Sequence, residues 1–326
     1  MPEQLIDLIR QSRRFLLTGH ENPDGDCLGA QCALYHLLAG LGKDVAIVNP
    51  DPIGPSFSFL LAHTPFASAG AEERLPPFDV AVLLDCSDLG RLGALGPRIR
   101  DSGAAIAVVD HHVGAAEGDG RVAFIDPRAA ATGLLIRRLH VAMGVPLSKA
   151  AAEGVFLSLI ADTGWFRYSN TDAEVFDAAA ELSRIGVDVA GIYDRLFRNH
   201  HRDTPLLLAR MLQQSRIVLG GKLAIASVDR NTMDHAARVN FDTDLVLDPL
   251  RSLQGIEVVA LLKERFDGQV KVSLRAKGDA DVERIARAFG GGGHRKAAGA
   301  TMSMSLQQAA QEIEQKVQDI LGEAGA

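Results

Sequence analysis

Short, uninterrupted apolar runs alternate with longer amphipathic segments along the first half of the chain. The apolar runs predict strands within 14–20, 44–50, 78–88, 104–112 and 121–127. The segment 27–42 instead predicts a helix that ends at a glycine. Strands that are apolar at nearly every position suit a sheet covered by helices on both faces, so the pattern predicts a mostly parallel α/β sheet flanked by helices.

The hydrophobic pattern changes after Ala129 and again after Gln214. Between these residues apolar side chains recur every three or four positions, which predicts helices. The pattern after Gln214 predicts a second α/β segment, with strands within 222–230, 256–266 and 269–278 and a closing helix over 305–323. The last two strands are expected to form a hairpin at Asp267 and Gly268.

These segments predict two domains joined by a helical linker. We expect a first domain over 1–190, a linker over 191–215 and a smaller α/β domain over 216–326. The length of 326 residues agrees with a two-domain chain.

The composition is that of an ordinary globular protein, with 47% hydrophobic and 23% charged residues. The formal net charge of −7 argues against a groove for long duplex nucleic acid, which needs a basic stripe, but allows a small phosphorylated ligand. The three cysteines form no disulfide framework. The first residues lack the apolar centre of a signal peptide, and no apolar run approaches the roughly 20 residues that cross a bilayer. We therefore expect a cytoplasmic protein without a membrane partner.

Acidic and imidazole side chains follow three of the predicted strands where each strand ends. These side chains are His20, Asp24 and Asp26 after the first strand, Asp85 after a second, and Asp110, His111 and His112 after a third. Asp162 ends a predicted helix. Because ligands of open parallel sheets bind beyond the carboxyl ends of the strands, these residues are expected to converge on one site.

A cluster of carboxylates is costly unless a cation neutralises it, because neighbouring like charges raise each other's pKa. Oxygen and imidazole ligands favour Mn²⁺, Mg²⁺ or Co²⁺ over a structural zinc ion. The number of ligands exceeds what one ion needs, which favours two ions about 3.5–4 Å apart and bridged by a carboxylate. For any single residue an ordinary structural role, such as a helix cap, stays open. The joint pattern favours a metal centre.

Four motifs, in this order, resemble those of the DHH phosphoesterase family: HENPDGDCLGA, LLDCSDLGRLG, VVDHH and IADTGWFRY. A fifth, GGGGHRKAAGA at 290–300, resembles the C-terminal DHHA1 module of that family. The length and the stretch DTGWFRYSNT resemble the NrnA type, nanoRNases that also dephosphorylate 3′-phosphoadenosine 5′-phosphate (pAp). The resemblance implies an N-terminal DHH domain, a C-terminal DHHA1 domain and an active site in the cleft between them.

The resemblance also implies the ligands of two divalent ions, with Mn²⁺ preferred to Mg²⁺ or Co²⁺. One ion would be held by His20, Asp24 and Asp85, and the other by Asp26, Asp85, His111 and Asp162. Asp85 is the implied bridge and is assigned to catalysis. His112 would contact a phosphate or donate a proton, and Asp110 would orient the histidine pair.

Substrate binding is assigned to His112, Arg167, Arg275, Gly291, Gly292, Gly293 and His294. The glycines lack Cβ atoms, so backbone N–H groups can approach an anion closely. This glycine-rich stretch is expected to be a loop that runs into a helix. Arginine can grip a phosphate with two hydrogen bonds, although a solvated charge at a sheet edge stays open for Arg275.

The resemblance implies hydrolysis of short oligoribonucleotides, linear dinucleotides such as pGpG and pApA, and pAp, through attack of a metal-activated hydroxide on phosphorus. Two alternatives lie inside the family. Exonucleases of the RecJ type act on single-stranded DNA and carry a further nucleic-acid-binding domain, and membrane-bound phosphodiesterases of cyclic dinucleotides carry membrane and sensory segments. A non-catalytic nucleotide sensor is the alternative of another class, although such a protein should have lost some ligands. A homodimer stays open.

Overall fold

Two compact units make up the chain, residues 1–199 and residues 200–326. The computed structural model describes residues 3–70, 74–112, 120–239 and 241–323. Each unit has a six-stranded sheet of its own. Among the described residues, no helix combines the length and the apolar character that spanning a bilayer requires.

The sheet of the first unit is parallel throughout its described strand pairs. Its strands are β1 (Arg14–Thr18), β2 (Asp44–Asn49), β3 (Phe66–Ser68), β4 (Val80–Leu84), β5 (Ala105–Asp110) and β6 (Val122–Ile125). They lie in the order β3-β2-β1-β4-β5-β6, and each neighbouring pair is parallel. The chain order reverses between β1 and β4, and doubly wound sheets bind ligands at such a switch point. The prediction of a parallel α/β sheet is therefore confirmed.

Helices cover both faces of this sheet. They are α1 (Glu3–Gln11), α2 (Gly25–Gly40), α3 (Leu95–Asp101), α4 (Thr132–Met143), α5 (Lys149–Asp162), α6 (Ala173–Ile185) and α7 (Val189–Phe197), with 3₁₀ helices at Pro55–Ala62 and Leu89–Leu92. Successive residues of β1 contribute to different cores. Phe15 and Leu17 pack with residues of α2, α4 and α5, whereas Leu16 packs with residues of α3.

The backbones of α2 and α5 approach closely because two glycines face each other. A Cβ atom at Gly29 would lie 2.3 Å from the carbonyl oxygen of Gly154, and one at Gly154 would lie 2.6 Å from that of Gly29. Most side chains of both helices are buried, as expected of helices that are apolar around most of their circumference. Gly25, in the first turn of α2, faces Ala161 near the end of α5. The contact therefore places the start of α2 beside the end of α5.

The second unit also has helices on both faces of its sheet. Its elements are α8 (Thr204–Gln214), β7 (Arg216–Val218), β8 (Leu223–Val228), α9 (Arg230–Arg238), α10 (Leu247–Ser252), β9 (Val258–Glu264), β10 (Val270–Ala276), α11 (Val282–Arg287), β11 (Gly292–His294), β12 (Ala297–Met302) and α12 (Leu306–Glu323), with 3₁₀ helices at Leu219–Gly221 and Thr243–Val246. The strand order is β11-β12-β10-β9-β8-β7. Alternate residues of β8 and β9 pack with α11 and α12 on one face and with α8, α9 and α10 on the other. The predicted second α/β segment is confirmed.

Two local predictions in this unit have opposite outcomes. The hairpin at Asp267 and Gly268 is confirmed, since β9 and β10 pair antiparallel and Gly268 has a φ of 78°. The expectation that the glycine-rich stretch runs into a helix is wrong. Residues 292–294 and 297–302 form antiparallel strands, because pairing with β10 overrides the helix preference of the alanines.

Candidate metal centre

The structure brings the predicted metal ligands together beyond the carboxyl ends of β1, β4 and β5. Three groups have one ligand atom per residue within 4.8 Å of one another: His20, Asp24 and Asp85; Asp26, His111 and Asp162; and Asp85, His111 and His112. Asp85 and His111 each belong to two groups, so the three groups form one cluster. Asp162 reaches it as the last residue of α5.

Asp85 occupies a backbone conformation that few residues adopt. It follows β4 and has a φ of 57°, in the left-handed region. This region costs most residues about 1–2 kcal/mol, but aspartate tolerates it better than most. The Asp85 amide donates to the carbonyl of Val109 on β5 at 3.0 Å, and its Oδ1 accepts from the Thr132 hydroxyl at 3.1 Å. These contacts fix the carboxylate that two of the ligand groups share.

His20 and His111 present the same ring nitrogen to the cluster. Nδ1 of His20 lies 2.8 Å from the carbonyl oxygen of Glu21, and Nδ1 of His111 lies 3.0 Å from that of Ala129. Because a carbonyl oxygen only accepts hydrogen bonds, each Nδ1 carries a hydrogen. Each Nε2 then faces a carboxylate of the cluster, at 3.5 Å for His20 and 3.0 Å for His111. Histidines that bind metals are commonly oriented in this way.

The Nε2 atom of His111 is buried and has no well-formed hydrogen bond to any described residue. It lies 3.0 Å from a carboxylate oxygen of Asp162, 3.4 Å from one of Asp26 and 3.7 Å from one of Asp85. Burial opposes a charge on this ring, but the three carboxylates outweigh it and raise the pKa of His111 to about 10. A metal cation would take the place of the proton that these carboxylates otherwise hold on the ring.

Asp26 is fully buried and lies against the start of α4. Its Oδ2 accepts a hydrogen bond from the backbone N–H of Thr132 at 2.9 Å, and its Oδ1 accepts one from that of Gly133 at 3.3 Å. The hydroxyl of Ser158 also donates to Oδ1. Burial and the neighbouring carboxylates nevertheless raise the pKa of Asp26 well above its usual range. The hydrogen bonds alone therefore do not balance the negative charge of the cluster.

The donor set fits hard divalent cations. The three groups offer carboxylate oxygens and imidazole nitrogens and no sulfur atom, a combination typical of Mn²⁺ or Mg²⁺ rather than of a structural zinc site. The buried Nε2 of His111, which lies close to three carboxylates, fits a site that could hold such a cation.

Asp24 is the N-cap of α2 as well as a member of the cluster. Its Oδ1 accepts hydrogen bonds from the backbone N–H groups of Asp26 at 3.0 Å and Cys27 at 3.1 Å. The ordinary capping role that a single aspartate often has is therefore present here. The same side chain groups with His20 and Asp85, and the cap holds its carboxylate in that direction.

His112 is held differently from the other two histidines. Its Nδ1 lies 2.8 Å from Oδ1 of Asp110, and the same oxygen accepts the backbone N–H of His112 at 3.0 Å. Asp110 ends β5 and is 1% exposed. Its hydrogen bond raises the pKa of His112 against the opposing effect of burial. The pair therefore holds an imidazole with a raised pKa beside the cluster, where it can contact an anion or donate a proton.

Arg167 lies in a tight turn that follows α5. Its Nε donates to the carbonyl of Gly164 at 2.6 Å, and its guanidinium carbon is 6.0 Å from the centre of the Tyr168 ring. Trp165 and Phe166 in the same turn have φ values of 57° and 63°. Both of their rings pack against the ring of Phe156 on α5. The turn thus uses two of its aromatic rings in packing.

Arg275 and His294 lie in one row across three strands of the second unit. Arg275 on β10 and His294 on β11 both pair with Ala297 on β12. Directly paired residues of antiparallel strands point to the same face. Both side chains therefore lie on one face of the sheet, two strand spacings or about 10 Å apart at the backbone.

Two of the predicted anion-binding glycines are required by strand packing. A Cβ atom at Gly291 would lie 2.1 Å from the carbonyl oxygen of Gly299. Gly293 has a φ of 141°, and a Cβ atom there would lie 2.6 Å from the carbonyl oxygen of Ala297. Gly292 has no heavy atom within 4 Å of its Cβ position, so that side of the strand is open.

Comparison with known proteins identifies both units. Residues 14–159 match the N-terminal domain of the DHH family, and residues 220–323 match the DHHA1 domain. A bifunctional oligoribonuclease and PAP phosphatase NrnA from Thermus thermophilus is 34% identical over 311 residues, which cover 94% of this chain and 90% of that protein. The chain belongs to the DHH family. The NrnA-type resemblance inferred from the motifs is thereby confirmed.

Two further proteins are similar to this DHH-family chain over most of its length. A protein with the same NrnA name from Bacillus subtilis is 24% identical over 308 residues, 93% of each chain. The crystal structure of an exopolyphosphatase-related protein from Bacteroides fragilis has a TM-score of 0.88 and 22% identity, covering 97% of this chain and 95% of that one. The structural comparison shows that the two proteins share a fold.

Several residues that support this DHH-family site were not identified from the sequence. They are Thr132 and Ser158, described above, and the buried pair Gln31 and Asn49. The two side-chain amides exchange hydrogen bonds of 2.8 and 2.9 Å, and Oδ1 of Asn49 also accepts the N–H of Gly19, next to His20. The available signal was a single polar residue within an apolar helix or strand, since buried polar groups need partners.

Proposed function

We propose that this chain is a divalent-metal-dependent phosphoesterase that hydrolyses short oligoribonucleotides, linear dinucleotides such as pGpG and pApA, and pAp. The convergence of two histidine Nε2 atoms and four carboxylates beyond β1, β4 and β5 carries the proposal. The activities named for the NrnA relatives, oligoribonuclease and PAP phosphatase, support the substrate class. The chain is accordingly a hydrolase of phosphoester bonds.

The cluster residues would hold two divalent cations. His20, Asp24 and Asp85 form one ligand set, and Asp26, Asp85, His111 and Asp162 form the other. Bound divalent ions, with Mn²⁺ preferred, lower the pKa of a water molecule and offset the charge that develops on a phosphate. Asp85 belongs to both sets and would contribute to both ions, and its hydrogen bonds with Val109 and Thr132 hold its position.

His112 acts beside these ligands and meets the substrate. Its Nδ1 hydrogen is engaged by Asp110, and its Nε2 would contact a phosphate oxygen or pass a proton to the leaving oxygen. Asp110 stabilises the positive charge of the ring. Asp110 is therefore a positioning residue, which raises the pKa of His112 and holds the orientation of its ring.

Arg275 and His294 bind an anionic group of the substrate. They lie on one face of the second sheet, and a long arginine side chain can reach an anion that also contacts the imidazole. Arg167, in the turn after Asp162, supplies a further cationic contact. A few local cations of this kind suit a short substrate in a chain with a net charge of −7.

A turnover panel tests the substrate class. Chelator-treated protein is resupplied with Mn²⁺ and incubated with an RNA dinucleotide, a longer RNA, a cyclic dinucleotide, single-stranded DNA, pAp and pyrophosphate. We expect the fastest product release from the RNA dinucleotide and from pAp. Preference for the cyclic dinucleotide or for single-stranded DNA would favour the alternative enzymes of the family, and binding without product would favour a sensor.

Asp85→Asn tests the ligand assignment, because asparagine tolerates the left-handed backbone but lacks the shared charge. We expect loss of Mn²⁺-dependent turnover with an unchanged circular dichroism spectrum. Asp88→Asn is the matched control. Asp88 caps the next 3₁₀ helix by accepting the N–H of Gly90 at 2.8 Å, and asparagine caps equally well. Near-parental turnover of Asp85→Asn would remove the assignment.

Arg275→Ala and His294→Ala test the substrate-binding role. We expect each to raise KM with little change in kcat. Lys271→Ala is the matched control. Lys271 is also basic, is exposed, and lies four residues before Arg275 on the same strand and the same face. A fall in kcat at saturating substrate without a change in KM would contradict the binding role.

A further inference from the structure

A second group of side chains of the kinds that bind metals includes two residues of α2 that lie beyond Asp26. One ligand atom each of Cys32, His36 and His63 lies within 4.8 Å of those of the other two. Cys32 and His36 are one helical turn apart on α2, and His63 follows the 3₁₀ helix Pro55–Ala62. Cys32 is fully buried, and the two histidines are half-buried. None of the three belongs to the metal centre described above.

All three side chains point at one spot, which the hydroxyl of Thr64 marks. Its Oγ1 lies 3.2 Å from Sγ of Cys32, 3.0 Å from Nε2 of His36 and 2.9 Å from Nδ1 of His63. A hydroxyl offers one hydrogen and two lone pairs, so it can satisfy three partners. A purely hydrogen-bonded cluster is therefore the alternative to a cation.

The surroundings of His63 favour a cation. Its Nε2 lies 3.1 Å from Oε2 of Glu153 on α5, on the side of the ring away from Nδ1. A carboxylate that holds the outer nitrogen of a histidine is the usual outer contact of a metal-binding imidazole. The hydrogen then resides on Nε2, and the lone pair of Nδ1 faces the Thr64 hydroxyl, which Cys32 and His36 also approach.

We propose that Cys32, His36 and His63 bind one zinc-type divalent cation, with Glu153 as the residue that orients His63. A thiolate with two imidazoles is a softer donor set than the carboxylates of the metal centre and selects zinc over manganese or magnesium. The site would join α2, the segment after the 3₁₀ helix and, through Glu153, α5. It is independent of the proposed hydrolytic function.

The cation must displace a proton to occupy this site. Burial raises the pKa of the Cys32 thiol to about 12, so the thiol is protonated at neutral pH in the absence of a metal. The bond between the metal and the thiolate offsets the free-energy cost of deprotonating this buried thiol.

Cobalt titration of the full-length, chelator-treated protein tests the proposal, because a thiolate bound to Co²⁺ gives a near-ultraviolet charge-transfer band that carboxylate and imidazole ligands do not. We expect this band in the parent protein and its removal by Zn²⁺ but not by Mg²⁺. Cys32→Ser should abolish the band, and Glu153→Gln should weaken cobalt binding about 10–100-fold. Cys86→Ser, the matched control at a cysteine beside Asp85, should keep it. A parent protein without the band, or a Cys32→Ser protein that retains it, would overturn the proposal.

Zinc X-ray absorption of the parent protein supplies a readout that needs no variant to fold. The zinc-saturated protein should show a sulfur ligand at about 2.3 Å besides nitrogen and oxygen. A spectrum with nitrogen and oxygen alone would contradict the site.

Discussion

The hydroxyl of Ser158 on α5 donates a hydrogen bond to Oδ1 of Asp26 on α2, 132 positions earlier in the chain. The same hydroxyl oxygen accepts the backbone N–H of Gly133 at 2.8 Å. Ser158 therefore connects a predicted metal ligand to the start of α4. The approach is close enough that a Cβ atom at Gly133 would lie 2.3 Å from the serine oxygen.

Ser158→Ala should weaken both the fold and the metal centre. The substitution leaves the N–H of Gly133 without its closer acceptor and takes one donor from Asp26. We expect the free energy of unfolding to fall by about 1–3 kcal/mol, as for other buried groups that lose a partner. Mn²⁺ affinity should fall about 10–100-fold, the usual effect of removing an outer contact of a ligand. Urea denaturation and a Mn²⁺ titration followed by electron paramagnetic resonance measure the two effects.

Ser148→Ala is the control for this variant. Ser148 caps α5 by accepting the N–H of Ala151 at 3.1 Å and makes no contact with Asp26. Loss of this cap should lower the free energy of unfolding by about 1 kcal/mol and leave Mn²⁺ affinity unchanged. An equal loss of affinity in both variants would mean that Ser158 acts only through the stability of α5.

Gly29→Ala should destabilise the first unit strongly. The added methyl group would meet the backbone of α5, which cannot move aside as a side chain can, so we expect a loss of at least about 3 kcal/mol, the upper end of overpacking costs. Gly40→Ala, at the other end of the same helix, has nothing within 4 Å of the new atom. It should stay within about 1 kcal/mol of the parent protein, on the stabilising side. Similar unfolding midpoints for the two variants would contradict the close contact.

Asp162→Asn and Asp110→Asn should separate a metal ligand from a positioning residue. Asp162 lies within the ligand group of Asp26 and His111, so its variant should bind Mn²⁺ more weakly. Asp110 is in none of the three ligand groups, and its carboxylate accepts hydrogen bonds from the backbone N–H and Nδ1 of His112. Its variant should therefore keep Mn²⁺ affinity while kcat falls by at least about 100-fold. Calorimetric Mn²⁺ titrations paired with steady-state kinetics test this. Weak Mn²⁺ binding by Asp110→Asn would argue against its proposed role.

Lowering the pH should destabilise the first unit through His140. This residue is 2% exposed, and burial lowers its pKa below the ordinary value. The unfolded chain therefore takes up a proton near pH 6.5 while the folded chain does not, so stability declines as the pH falls below about 6.5. His140→Gln lacks this proton uptake. From pH 7.5 to pH 5.5 the unfolding free energy of the parent protein should fall more than that of His140→Gln. An equal fall in the two proteins would disprove the role of His140.

The parallel sheet and the convergence of the acids follow from patterns that the sequence shows locally. The run 104–112 is apolar until it ends in Asp110, His111 and His112. The rule that ligands gather beyond parallel strands then places these residues near Asp85 without knowledge of the pairing. The residues that hold the ligands in place could not be predicted from local patterns. Ser158 contacts Asp26 only because Gly29 and Gly154 set the spacing of two helices.

Local patterns also could not predict the hairpin of residues 292–302 or the cluster of Cys32, His36 and His63. Ala297 and Ala298 favour a helix in isolation, and only their pairing with β10 makes them a strand. Cys32 and His63 are distant in sequence, and the 3₁₀ helix that brings His63 to α2 has no periodic signature. Long-range packing decides both features.

Asp24 begins a helix with one carboxylate that also belongs to the metal centre. Removal of the proposed cation would therefore also loosen the first turn of α2, because the Asp24 carboxylate that caps this turn would lose one of its partners. We expect backbone amide exchange at Asp26 and Cys27 to quicken in metal-starved protein. Proteases would then cut the looser protein more readily, so the supply of the proposed cation would set the lifetime of the protein as well as its rate.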